Sequence, residues 1–276
     1  MEEFSIVKKS GRKEVFSFDK LKNSLQRSGA TDGIINLVIE DIKPEFYDGI
    51  SSKQIYKKAF SLLKKSNRSY ASKYSLKRAL FDLGPTGYPF ERLVSALLKQ
   101  KGYKTKVGVV LPGEYVTHEI DVLAEKGENT YAIECKFHTK ANFSNNIKIP
   151  LYINSRFIDI QKQWDKNPNH TTRMKQGWLV TNTKFTTDTI KYAKGVGLRL
   201  LSWDYPKDNG IGKNIDAYGL YPITTLTILA KSEKKQIIEN DIILVKELKE
   251  TPTILRKIGI STTRIQRILA EVETLI

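Results

Sequence analysis

The chain has 276 residues and a formal net charge of +16 at pH 7, and 40% of its residues are hydrophobic and 10% aromatic. These fractions exclude a disordered chain, and the single cysteine excludes a disulfide framework or a zinc site built on cysteine pairs. The basic excess indicates a polyanionic partner, although charge alone does not choose among nucleic acid, anionic lipid and acidic protein.

The start of the chain and its hydropathy bear on its location. Met1, Glu2 and Glu3 lack the basic segment and apolar core of a signal peptide. No apolar run approaches the ~18 residues of a membrane span. We therefore expect a cytoplasmic protein without a membrane partner.

Turn-rich segments divide the chain into residues 1–82, 83–216 and 217–276. The first two parts share the basic excess equally, so a single basic tail does not account for it. We expect an N-terminal domain, a central domain and a helical C-terminal region with these boundaries.

The N-terminal part predicts a short β-hairpin followed by helices. Strand-like residues 6–9 and 14–18 flank a turn that contains Gly11. Asp19 is predicted to cap the first helix. Helical spacing then recurs in three segments, around residues 32–42, 51–66 and 69–82.

Residues 7–11, 14–16, 18–21 and 46–52 resemble, in this order, the ATP-cone, the regulatory nucleotide-binding domain of ribonucleotide reductase large chains. The resemblance implies an effector site for ATP or dATP formed by Val7, Lys8, Lys9, Glu14, Lys20 and Ser52. Ser10 departs from the family, which usually has Asp before the turn glycine. The residues alone leave an alternative, a solvated lysine-rich hairpin without a ligand.

The central part predicts the order αβββαβαβ, a mixed sheet with helices against both faces. The predicted elements are a helix at 90–98, strands at 107–111, 118–124 and 131–137, a helix near 155–166, a strand at 178–181, a helix at 187–194 and a strand at 198–203. With the helical N-terminal domain, the predicted fold class is α/β, or α+β overall.

Three polar residues, Asp121, Glu134 and Lys136, interrupt the apolar strands of the central part. Residues two apart on a strand share a face, so Glu134 and Lys136 point together and Cys135 points away. If the strand of Asp121 is the antiparallel neighbour, its carboxylate meets Glu134 across the ladder. Carboxylates crowded in this way favour a divalent cation between them, and oxygen ligands suit Mg²⁺.

This set lies on the second and third strands, after a helix that bears Glu91, and it resembles the Mrr-like branch of the PD-(D/E)XK nucleases. Residues 179–186 and 200–206 extend the resemblance, which spans roughly 88–206. An exposed pair on an edge strand, with a nearby turn acid, is the alternative reading of the same residues.

The resemblance implies a role for each residue of the set. Asp121, Glu134 and the backbone carbonyl of Cys135 would hold Mg²⁺, or Mn²⁺, against the scissile phosphate. Lys136 would orient or activate the attacking water. Glu91 would contact the metal through water or hold a second ion.

His118 and His138 flank the acidic strands, and each is either an aid to proton transfer or a structural histidine.

Residues 254–269 of the C-terminal part predict two helices around a glycine turn, the second bearing Arg264 and Arg267. They are interpreted either as a helix-hairpin-helix clamp on DNA or as a plain helical pair.

The sequence therefore predicts a Mg²⁺-dependent DNA endonuclease, of restriction or defence type, controlled by ATP or dATP at the cone. Its expected partners are double-stranded DNA, an adenine nucleotide and further copies of the chain. Two alternatives stay open: a nucleotide-sensing DNA-binding regulator with an inactive nuclease fold, and a structure-specific repair nuclease.

Overall fold

The computed structural model of the protein describes residues 4–8, 11–141 and 143–276. Its architecture mixes helices with sheets, which confirms the predicted α+β class. The strands are β1 (Ser5–Val7), β2 (Lys13–Val15), β3 (Ile50–Ser51), β4 (Lys104–Pro112), β5 (Thr117–Lys126), β6 (Asn129–Lys136), β7 (Ser144–Asn145), β8 (Arg173–Thr181), β9 (Lys184–Phe185) and β10 (Arg199–Leu201).

The helices follow the predicted order, with longer bounds in several cases, but the helix over Ile211–Tyr218 was not predicted and crosses the boundary expected at 216/217. They are α1 (Phe18–Arg27), α2 (Asp32–Ile42), α3 (Ser52–Ser66), α4 (Arg68–Phe81), α5 (Tyr88–Gln100), α6 (Lys148–Lys166), α7 (Thr187–Gly195), α8 (Ile211–Tyr218), α9 (Lys231–Glu239), α10 (Val245–Glu250), α11 (Thr253–Lys257) and α12 (Thr262–Glu273). Short 3₁₀ helices span Lys43–Glu45 and Ile223–Thr225.

The main sheet has the strand order β10–β8–β6–β5–β4. Strands β4, β5 and β6 form an antiparallel meander, whereas β6, β8 and β10 are parallel. Helix α6 connects β6 to β8, and α7 lies between β8 and β10. This arrangement agrees with the predicted mixed sheet.

Helices cover both faces of the main sheet. On one face, Val122 and Ile133 pack in a core that includes Phe90 of α5 and residues of α8 to α12. On the other face, Ile160 of α6 and Ala193 of α7 belong to two smaller clusters. The acidic residues of β5 and β6 therefore lie between layers of helices.

The N-terminal hairpin pairs β1 with β2, and β3 adds a parallel strand beside β1. Strand β3 was not predicted, because two residues are too few to show an alternating pattern. Ser17, rather than Asp19, caps α1: its side chain accepts a hydrogen bond from the N–H of Lys20 at 3.2 Å. Asp19 lies inside the first turn, where a carboxylate is still favourable to the helix dipole.

Helix α4 belongs to two hydrophobic cores. Ala71 packs in the core of the N-terminal helices, whereas Leu76 and Leu80 pack in the main core. The hydroxyl of Ser72 also donates to Oε1 of Glu271 in α12, at 3.1 Å. The N-terminal and C-terminal parts of the chain are therefore joined by buried contacts.

A small parallel sheet of β7 and β9 follows the main strands β6 and β8, and it was not predicted.

Within residues 4–8, 11–141 and 143–276, every helix is too short or too polar to cross a membrane.

Candidate functional site

Asp121 and Glu134 meet at one end of the main sheet. Val122 pairs with Ile133, so extending this register by one residue sets Asp121 opposite Glu134. The N–H of Cys135 donates to Oδ2 of Asp121 at 2.6 Å. The two carboxylates thus come from adjacent antiparallel strands. Next to Glu134 on β6, the thiol of Cys135 is buried, and burial raises its pKa, so the thiol stays protonated.

Glu91 and Lys136 both lie near Gly87. Glu91 lies in the first turn of α5, and a Cβ at Gly87 would be 3.1 Å from its Oε1 and 4.0 Å from Cβ of Phe137. Lys136 is exposed and lines an open cavity of about 520 Å³ together with Gly87 and Phe137. Lys136 therefore lines the cavity itself, whereas the carboxylate of Glu91 lies behind the lining residue Gly87.

The carboxylates of this region affect one another. Burial, together with the charges of Asp121, Glu119 and Glu134, raises the pKa of Glu91 to about 7. Burial also raises the pKa values of Asp121 and Glu134, and the charge of Asp121 adds to the rise at Glu134. A cation placed among these groups would stabilise their ionised forms.

Arg156 of α6 belongs to this site, although the sequence interpretation missed it. Its Nη1 donates to Oε2 of Glu134 at 2.6 Å, and its Nη2 donates to the carbonyl of Glu119. The side chains of Arg156 and Glu134 are only 14% and 22% exposed. The only sequence signal was an arginine on the helix after the motif. Whether this arginine reaches Glu134 depends on how α6 packs against β6.

The donor set fits a hard divalent cation in its chemistry. Within the described residues, no group of three His, Cys, Asp or Glu side chains is placed to hold a metal ion. Mg²⁺ is commonly bound through one or two carboxylates, with waters and substrate phosphates as its other ligands. Asp121, Glu134 and a main-chain carbonyl such as that of Cys135 would be the ligands of such an ion, and Arg156, which bonds Glu134, would have to move away.

A buried polar network fixes the end of β6. Nδ2 of Asn145 donates to the hydroxyls of Thr181 and Thr183, each at 3.1 Å, and Oδ1 of Asn145 lies 3.1 Å from Nε2 of His138. The hydroxyl of Thr181 donates to the carbonyl of Lys136 at 2.7 Å. The network therefore holds both Lys136 and His138 at the edge of the cavity.

His118 has a structural environment. Its Nε2 lies 2.7 Å from Oδ2 of Asp159 on α6, and Oδ1 of Asp159 accepts the N–H of Tyr115 at 3.1 Å. The hydrogen bond with His118 lowers the pKa of Asp159. These contacts fasten the β4–β5 turn to α6 and favour the structural interpretation of His118.

The N-terminal part has a cavity of about 180 Å³ between the hairpin and helices α1, α3 and α4. Of the residues predicted to bind nucleotide, those that line it are Lys8, Glu14, Lys20 and Ser52. Val7 does not line it, because adjacent strand residues face opposite sides and Ile6 takes the cavity side. Lys9 lies outside the described residues.

This cavity combines charge with aromatic surface. Nζ of Lys8 lies 3.3 Å from Oε2 of Glu14, and this contact lowers the pKa of Glu14. Tyr56 and Tyr74 also line the cavity, and their stacked rings have centroids 5.3 Å apart. Ammonium groups suit phosphates and aromatic rings suit a nucleobase, and the two tyrosines were not predicted from the sequence.

Helix α12 uses one of its two arginines internally. Nη1 of Arg264 donates to Oε1 of Glu233 at 2.6 Å, which joins α12 to α9. Gly259 has a φ of 82°, so a left-handed turn separates α11 from α12. This geometry gives the predicted pair of helices around a glycine turn, with Arg264 engaged in packing contacts.

Comparison with known proteins identifies the N-terminal part first. Residues 4–82 match the ATP-cone domain family, so this part of the chain is an ATP-cone domain. Residues 221–276 match the family described as AF1548-like, C-terminal.

An uncharacterized protein of Archaeoglobus fulgidus is 34% identical over 184 residues, which are 66% of this chain and 99% of that protein. The crystal structure of AF1548, a protein of unknown function, is 33% identical with a TM-score of 0.56, covering 68% of this chain and 97% of that one. The chain therefore belongs to the AF1548-like family.

A more distant similarity is to Can2 from Sulfobacillus thermosulfidooxidans, in complex with cyclic tetra-adenylate. It is 15% identical with a TM-score of 0.32 and covers 73% of this chain and 53% of that one. Similarity at this level supports no functional conclusion.

Proposed function

We propose that the protein is a metal-dependent DNA endonuclease whose activity is controlled by ATP or dATP at the cone. The observation that carries this proposal is the proximity of Glu91, Asp121 and Glu134, next to the strand end where Lys136 lines an open cavity. The basic excess of the chain supports a polyanionic substrate.

The residues of the site have separable roles in this proposal. Asp121 and Glu134 hold Mg²⁺ or Mn²⁺, with the carbonyl of Cys135 as a further ligand; the bound metal supplies Lewis-acid activation of the scissile phosphate. Lys136 orients the attacking water and offsets the charge that develops on the phosphate. Glu91, whose pKa lies at about 7, can hold or release a proton near neutral pH.

Trp203 offers a physical connection between the cone and the nuclease-like sheet. The Arg27 guanidinium lies 5.6 Å from the centre of its ring, and the Lys77 ammonium lies 5.5 Å from it. Arg27 ends α1, which begins near the cavity residue Lys20, and Lys77 follows the cavity residue Tyr74 on α4. Nucleotide contacts with either helix can therefore change the packing around Trp203.

Cleavage of supercoiled plasmid DNA tests the proposal. The parent protein is expected to nick or linearise it with Mg²⁺ or Mn²⁺, at a rate that ATP or dATP changes. Lys136→Ala is expected to lose activity about 100-fold. Lys106→Ala, an exposed lysine on β4, is the matched control and should keep it. Equal cleavage by the Lys136 variant would contradict the catalytic assignment, and equal rates across nucleotides would contradict the regulation.

A DNA-binding regulator with an inactive nuclease fold is the second candidate. The ion pair between Arg156 and Glu134 favours it, because an internal cation already neutralises one proposed metal ligand. Salt-sensitive binding of duplex DNA without cleavage in either metal would support this candidate. Methylated, unmethylated and branched duplexes in the same assay separate a restriction role from a repair role.

The proposal includes self-association, since concerted cleavage of both strands by one site per chain needs two copies at the DNA. Sedimentation of the protein with and without ATP measures this directly. A strictly monomeric protein that makes double-strand breaks would contradict it.

A further inference from the structure

A cavity of about 550 Å³ lies between the loop 82–89 and helix α9. Pro85, Tyr88 and Ile238 provide apolar surface, and α9 contributes the basic side chains Lys231, Lys234 and Lys235. The cavity thus offers flat apolar surface and cationic groups to one ligand.

Three lysines and three carboxylates line this cavity, but the carboxylates also have cationic partners, two of which lie outside the lining. Its carboxylates are already paired, Asp241 with Arg92, Glu239 with Lys235 at 3.6 Å, and Asp82 with Arg78 at 3.9 Å. In the part of the chain that the structure describes, Lys231 and Lys234 form no salt bridge. These two lysines therefore have no carboxylate partner, and burial lowers the pKa of Lys234; a phosphate beside Lys234 would favour its charged form.

Two of these side chains are held in place. Nζ of Lys234 donates to the carbonyl of Thr224 at 2.9 Å, which leaves two further N–H groups on the same ammonium. The hydroxyl of Tyr88 lies 3.4 Å from Oδ1 of Asp241, yet the residue is 47% exposed. Tyr88 is thus oriented at one end while the rest of its ring remains accessible.

The cavity adjoins the candidate catalytic opening. Pro85 lines both cavities, and the short segment between Gly84 and Gly87 separates them. A strand whose phosphate lies at Lys136 would reach the second cavity by passing over this segment. An aromatic ring beside cationic side chains is typical of sites that bind an unpaired nucleotide.

We propose that this cavity binds one unpaired nucleotide of a nucleic-acid strand, with its base on Tyr88 and its phosphate at Lys231 and Lys234. The inference rests on the proposed nuclease function for the position of the strand, because the neighbouring nucleotide then carries the scissile phosphate. It also gives the AF1548-like C-terminal helices a role in holding the substrate.

Binding of a labelled oligothymidylate to full-length protein carrying Lys136→Ala, in EDTA, tests this site without cleavage. Adding Lys231→Ala and Lys234→Ala is expected to weaken binding about tenfold and to reduce the salt slope by about 1 to 1.5. Lys249→Ala, whose ammonium bonds Glu273 at 2.8 Å, is the matched control and should leave binding unchanged. Unchanged affinity and salt slope in the double variant would overturn the proposal.

The aromatic contact has a separate readout. A 2-aminopurine base in the oligonucleotide should be quenched on binding, and Tyr88→Ala should abolish this quenching whereas Tyr88→Phe preserves it. Equal quenching in all three proteins would exclude stacking on Tyr88. If free dAMP binds as tightly as the oligonucleotide through the same lysines, the cavity is a mononucleotide site and the strand assignment is wrong.

These outcomes are separable from the nuclease proposal. If the parent cleaves DNA and the double lysine variant binds and cleaves equally well, this inference fails and the nuclease proposal stands. If no DNA is cleaved but binding depends on Lys231 and Lys234, the nucleotide site stands and the nuclease proposal fails.

Discussion

Arg156 donates a short, largely shielded hydrogen bond to Glu134, so a guanidinium from α6 faces the carboxylate that the motif predicts as a metal ligand. The pair balances one of the negative charges that crowd this end of β5 and β6. A metal ion that uses Glu134 must compete with Arg156 for its oxygens.

Replacing Arg156 by Met is expected to lower the free energy of unfolding by about 2 kcal/mol in EDTA, because Glu134 loses a charged donor. The same change frees both oxygens of Glu134, so Mg²⁺ should raise the melting temperature of this variant more than that of the parent. Thermal unfolding with and without Mg²⁺ measures both effects. Arg156→Lys keeps the charge and should fall between the two; equal Mg²⁺ shifts in all three proteins would rule out competition.

Glu91 predicts a specific dependence of stability on pH. Folding raises its pKa to about 7, so the folded state binds this proton more tightly than the unfolded chain, in which a Glu titrates near 4.3. Stability of the parent therefore falls as the pH rises between these two values, and the loss is complete above the higher one. Glu91→Gln removes this loss.

Urea unfolding in EDTA checks this expectation. Glu91→Gln should be more stable than the parent at about pH 8, and the difference should disappear at about pH 4. Glu91→Asp, which keeps a carboxylate, should follow the parent. A Gln variant with the same advantage at both pH values would contradict the assignment.

The cone cavity predicts which lysine controls nucleotide affinity. Lys20 lines the cavity, whereas Lys22, two residues later on the same helix, is exposed and does not. Lys20→Ala should weaken ATP binding about tenfold, which corresponds to one lost charge-assisted contact. Titration calorimetry compares it with Lys22→Ala, and equal losses in both variants would place the nucleotide elsewhere.

Asn145 predicts a large loss of stability. Its amide is buried and serves four partners, so Asn145→Ala leaves several polar groups unsatisfied and should cost about 3 kcal/mol. Asn36→Ala, at an exposed position of α2, is the matched control and should change stability by less than about 0.5 kcal/mol. Similar urea midpoints for the two variants would show that the network contributes little.

Local pattern was sufficient for much of the fold. Alternating apolar residues identified β5 and β6, and the polar residues that break this alternation pointed to Asp121 and Glu134. Strands of two residues, such as β3, have too short a pattern to recognise. The cap of α1 was misplaced by two residues, because Ser17 and Asp19 are both good capping types.

The parts of the site that were missed depend on packing between distant segments. Arg156 reaches Glu134 only because α6 lies across the end of β6, and Tyr74 reaches the cone cavity only because α4 packs beside α1. Neither contact can be predicted from the spacing of residues along the chain. The side of the hairpin taken by Val7, by contrast, follows from simple alternation of strand residues.

Helix α4 packs in two hydrophobic cores, and this limits how the protein can be divided into fragments. Cutting the chain after residue 82 would strip Leu76 and Leu80 from the main core and expose the partners they leave behind. The cone is thus not an independently folding domain, and the intact protein should unfold in a single cooperative transition on heating. A nucleotide that tightens the cone would then raise the melting temperature of the whole chain.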